Sequence, residues 1–122
     1  MIRLFKQLSI QVVFALSLLL SSTAHTEDIL LNLGDLDGGI FYSNATGVNA
    51  DGSVVVGFSN SVNGYEAFRW TEGTGMQSVE DWLAAAGISM GSFSILSSAN
   101  AVNADGSVMV GYGDSVNGYE AF

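Results

Sequence analysis

The feature that most constrains this chain is an internal duplication. Residues 43–68 read SNATGVNADGSVVVGFSNSVNGYEAF and residues 97–122 read SSANAVNADGSVMVGYGDSVNGYEAF. The segments lie 54 positions apart and share 19 of 26 residues. Self-similarity of this strength marks a repeat architecture, in which each unit buries its apolar face against a neighbour.

The unit parses as short strands between turns. Ala45–Asn49 and Ser53–Ser59 flank Ala50-Asp51-Gly52, where glycine supplies the positive φ of a tight hairpin. Asn60–Tyr65 is a longer turn around Asn63-Gly64, and Glu66–Thr71 is a third strand. Glu72–Gly75 turns into a short fourth strand, Met76–Val79. Four antiparallel strands per unit, β-branched at the centre, is the pattern of a propeller blade. The fold class expected is all-β, a partial propeller-like array of four-stranded units. The alternative is a β-solenoid, whose coils of roughly 20–25 residues are shorter than this repeat.

Between the copies, Ser78 can cap a helix, Glu80 and Asp81 suit its positive end, and Gly87 can stop it. One short helix over residues 79–86 follows, inserted into a shorter basic repeat, with Trp82 and Leu83 pinning it to the sheet edge. The first unit then runs over about 43–79 and the second over 97–122, broken off in mid-strand at Phe122 as in a piece of a longer array. Residues 30–36, ending in Leu33-Gly34-Asp35-Leu36, read as an orphan strand of the kind that completes a closing blade.

The N-terminus reads as an export signal. Arg3 and Lys6 precede the apolar stretch Leu8–Leu20, and Ser22-Thr23-Ala24 offers small residues for cleavage between Ala24 and His25. The apolar run is too short to cross ~30 Å of hydrocarbon. The β-repeat region is then 25–122, with no membrane span. Arg69 is its only strong base against twelve acids, a formal charge of −11. Such a chain repels phosphate backbones, which argues against nucleic acid as a partner and leaves the partner an unknown extracellular one. The absence of cysteine means that burial alone must hold the fold.

The chemistry-bearing residues are sparse. Asp35-Leu36-Asp37-Gly38-Gly39 has the alternating carboxylates that begin a calcium loop, so Asp35 and Asp37 are weak metal candidates, but the later ligands of such a loop are missing. Asn49-x-Asp51-Gly52 and Asn103-x-Asp105-Gly106 read as hairpin turns whose side chains bond their own backbone. His25 is the sole histidine, so a serine–histidine–aspartate arrangement has no base near the repeats. No catalytic residue and no cofactor site is expected. Phe68, Trp70, Tyr65 and Tyr119 suit either a core between units or a sugar-binding groove.

These motifs resemble a known family. Leu33-Gly34-Asp35-Leu36-x-Gly38-Gly39, Ala50-Asp51-Gly52-Ser53-Val54-Val55-Val56-Gly57 and Glu66-Ala67-Phe68-Arg69-Trp70-Thr71 resemble the HAF-type extracellular repeats, and Asp81-Trp82-Leu83 through Gly87 resembles members found ahead of autotransporter barrels. Glu66 and Glu120 stand where the family name has histidine, so no role passes to that position. The resemblance implies a bacterial, exported protein of the periplasm, cell surface or exterior. It also implies an outer-membrane β-barrel that holds the repeats in fuller-length relatives, and the lack of a catalytic constellation makes a non-enzymatic structural or adhesion module the expected function. The alternative is a carbohydrate-binding or polysaccharide-acting propeller whose site lies in other units.

Overall fold

A computed structural model describes residues 29–122, so the expected signal segment and the Ala24–His25 cleavage point lie outside the described residues. Asn32–Phe122 forms one compact unit. Its seven strands are β1 (Gly38–Val48), β2 (Val55–Ser61), β3 (Gly64–Thr71), β4 (Gly75–Ser78), β5 (Phe93–Val102), β6 (Met109–Ser115) and β7 (Gly118–Ala121), with one helix, α1 (Val79–Ala85), between β4 and β5. They build a four-stranded sheet in the order β1-β2-β3-β4 and a three-stranded sheet in the order β5-β6-β7. Every ladder is antiparallel.

The β1–β2 and β2–β3 hairpins follow from local chemistry repeated 54 residues on. Asn49 Oδ1 accepts from Val54 N at 2.9 Å and Asn103 Oδ1 from Val108 N at 3.0 Å. Asp51 and Asp105 accept from Ser53 N and Ser107 N at 3.0 and 2.9 Å. Gly52 and Gly106 both take φ +76°, a conformation that a side chain would disfavour. At the β2–β3 corner Ser61 Oγ accepts from Asn63 N at 3.0 Å and donates to Glu66, and Ser115, Asn117 and Glu120 repeat that pattern.

A second repeated device lies in the ladder. Gly57 pairs with Phe68, and the Phe122 backbone bonds Gly111 in both directions. A Cβ on Gly57 would strike the Asn44 carbonyl and the Phe68 ring; on Gly111 it would strike the Ser98 carbonyl and the Phe122 ring. The glycine therefore leaves room for the aromatic ring that crosses it.

The helix obeys its caps. Ser78 Oγ accepts from Asp81 N at 3.0 Å, and Gly87 takes φ +72° just past the C-cap Ala86. Val79 is buried in the core with Val54, Val56, Ala67, Leu96 and Ala99, and Trp82 and Leu83 pack against that cluster. The Arg69 guanidinium lies over the Trp82 ring at 5.1 Å.

Two expectations need correction. Residues 30–36 form no strand. Gly34 at φ +83° breaks the extended path, Asn32 Oδ1 takes its N–H at 3.0 Å, and Leu36 N donates to the Ser59 hydroxyl rather than to a ladder carbonyl. The first strand also begins at Gly38, well ahead of Ala45, because the β-prone run Ile40-Phe41-Tyr42 extends it.

The sheets meet through β5, which crosses β1, β2 and β3. Val54, Val56 and Ala67 of the first sheet face Leu96 and Ala99 of the second, and Met109 and Phe122 close the cluster. Equivalent turn residues bond to each other, Ala50 N donating to Ala104 O at 3.1 Å. Among the described residues no helix is long and apolar enough to cross a membrane.

Candidate functional site

The two hairpins that carry the repeat bring aromatic residues to one place. Phe58 on β2 and Tyr65 on β3 stack edge to face at 5.7 Å, and Tyr42 of β1 joins them at 6.0 and 5.9 Å. In the second unit Tyr112 and Tyr119 hold the positions of Phe58 and Tyr65, with ring centroids 6.0 Å apart. The two pairs line a cleft of about 450 Å³ where the units meet, completed by Asn63, Ile95, Ser97 and Asp114. Tyr65, Tyr112 and Tyr119 are 49%, 43% and 73% exposed, so much of each side chain borders solvent. Flat aromatic faces beside amide, hydroxyl and carboxylate groups can stack on an apolar sugar face and bond its hydroxyls.

Of the aromatics singled out in the sequence, Tyr65 and Tyr119 line this cleft. Phe68 is buried and Trp70 half-buried, and neither lines the cleft. Phe58 and Tyr112 join Tyr65 and Tyr119 there, although the motifs do not single them out. Their signal was present: Phe58 becomes Tyr112 between the copies, an aromatic kept while its polarity changes.

A second concavity of about 360 Å³ gathers carboxylates distant in sequence. Asp35 and Asp37 share its wall with Glu66, Glu80 and Asp81. Among the described residues no three histidine, cysteine or acidic side chains come together as a metal-holding group, Asp35 and Asp37 included. Burial pushes the Glu80 carboxyl above its ordinary value; the Leu96 N–H, donating to it at 2.8 Å, pulls it back, and the charges of Glu66 and Asp81 add to the rise. Glu80 thus ties α1 to β5 and has a structural task. The Ser53 and Ser107 side chains and N–H groups hold the Asp51 and Asp105 carboxyls below their usual range, as turn acceptors.

Comparison with protein-family models, with curated proteins and with solved structures gives no match to this chain.

Proposed function

We propose that this is an exported bacterial repeat protein of the HAF type, acting as a structural or adhesive module at the periplasm or cell surface rather than as an enzyme. The observation that carries the reading is the packing of two near-identical units with equivalent residues in contact, Ala50 N on Ala104 O. Duplicated residues serve duplicated turns, a scaffold's requirement, whereas a reaction centre needs one constellation. The antiparallel four-stranded unit supports a propeller-like blade over a parallel coil. Fuller-length relatives would fasten such repeats to an outer-membrane barrel. Export is tested by expressing the chain in a Gram-negative host with a C-terminal tag. A processed product beginning at His25 and found outside the cytoplasm is expected; an intact N-terminus on cytoplasmic protein would refute it.

One observation favours a second reading, carbohydrate binding. The Phe58, Tyr65, Tyr112 and Tyr119 cleft offers aromatic faces with Asn63, Ser97 and Asp114 beside them. Retention on a neutral-glycan array that is lost in Tyr119→Ala would support it, and no retention on any glycan would end it.

A further inference from the structure

The outer face of the second sheet repeats a surface that the first sheet buries. Val54, Val56 and Ala67 are 5%, 0% and 0% exposed because β5 covers them. The same residue types stand 54 positions later as Val108, Val110 and Ala121, with Val108 and Val110 55% and 49% exposed and Ala121 also exposed. Strand alternation separates the faces: Met109 and Phe122 pack inward on the core, whereas Val110 points away from it.

The covering surface is duplicated too. Ala99 is 0% exposed where it meets the first sheet, and its counterpart Ala45 is exposed. Val102 packs on the core, and its counterpart Val48 is 58% exposed. The polar contacts are built to recur. Ala50 N donates to Ala104 O, so the same step would next join Ala104 N to another copy's Ala50 O. Thr46 Oγ1 donates to Ala99 O at 2.5 Å, and Asn100, at the Thr46 position, also carries a donor.

We infer that a second copy of this chain docks head to tail, placing its Ala45–Val48 surface on the Val108–Val110 face and reproducing the junction between the two repeats. The two surfaces differ, so the contact is heterologous and can be repeated. The occupant is a second copy because one chain carries both halves of this fit and already joins them once within itself. The acidic chains repel one another, so association strengthens as salt screens that charge.

Sedimentation velocity on the processed chain tests this across a concentration series, at low and high sodium chloride. The wild type is expected to shift to dimers and larger species, more so in high salt. Val110→Lys blocks one surface and Ala45→Lys the other, and each variant alone is expected to stay monomeric. Mixed in equal amounts they retain one intact pair of surfaces, so they should form a dimer and nothing larger. Urea midpoints near wild type establish that both variants fold. A wild type that stays monomeric overturns the inference, as does a mixture that stays monomeric. Dimers that survive Ala45→Lys but not Val110→Lys overturn it in favour of a symmetric contact between two second sheets.

Discussion

Val56 and Val110 occupy the same place in two hairpins of nearly the same sequence, yet the first is fully buried and the second is 49% exposed. The contrast runs through the units. Asn49 is 5% exposed and Asn103 is exposed; Ala67 is 0% exposed and Ala121 is exposed. On the other surface it reverses, with Ala99 buried and Ala45 exposed. The two repeated turns and their hydrogen bonds are shared, and burial is not. In a repeat protein burial belongs to the interface between units, so identical residues should carry different energies.

Paired substitutions put that difference to the test, and the largest effect is expected at the aromatic. Phe68→Ala should lower unfolding stability by about 3–5 kcal/mol, as for other buried aromatics. Phe122→Ala should cost clearly less, and equal urea midpoints for the two variants would break the comparison. Val56→Ala removes two buried methyl groups and should cost about 2 kcal/mol, whereas Val110→Ala should stay within about 0.5 kcal/mol in the monomer. Both are measured by denaturant unfolding at a fixed low protein concentration.

The turns give a smaller contrast. Asn49→Ala leaves the buried Val54 N–H without its acceptor, a loss of about 1–3 kcal/mol. Asn103→Ala exposes the equivalent Val108 N–H to water and should be milder, which thermal unfolding of the two variants would rank.

Glu80 belongs to the helix, which lies between the two copies, and its expected effect has a definite sign. Its folded pKa is raised, so the native state keeps the proton to higher pH than the unfolded chain does. Stability from this group is therefore present at low pH and is lost as pH rises from the ordinary glutamate value through the raised one. Glu80→Gln keeps an acceptor for Leu96 N, so the urea midpoint should vary less across that window, with no loss at neutral pH. A variant with unchanged pH dependence would contradict this origin.

Asp51→Ala and Asp105→Ala should show the smallest difference, since both carboxylates are exposed and each accepts the backbone N–H two residues on. Their lowered pKa values mean that the stability they add is present above the ordinary aspartate value and is lost as pH falls from there through the lowered one. Equal small shifts in midpoint would show that the units differ through packing and not through their turns.

Much of the fold was legible because its signals are local. Ser78 and Gly87 bound the helix, and Asp51-Gly52 and Asn63-Gly64 set the hairpins, each through bonds within a few residues. The segment 30–36 misled because its Leu33–Leu36 pattern resembles a strand, whereas its hydrogen bonds go to side chains. The aromatic cleft was half legible: Tyr65 and Tyr119 stood out, but convergence of Phe58 and Tyr112 on them depends on how the sheets stack.

The sequence by itself determined the repeat, its antiparallel hairpins and its acidic charge, because periodicity, turn chemistry and ionisation need no distant partner. Only the tertiary structure decided which copy of each residue is buried, which acids share a wall and which aromatics face each other. Those outcomes depend on β5 packing against β1, β2 and β3, a contact between segments far apart in the chain, and the residues that the two copies share cannot encode which of them receives it.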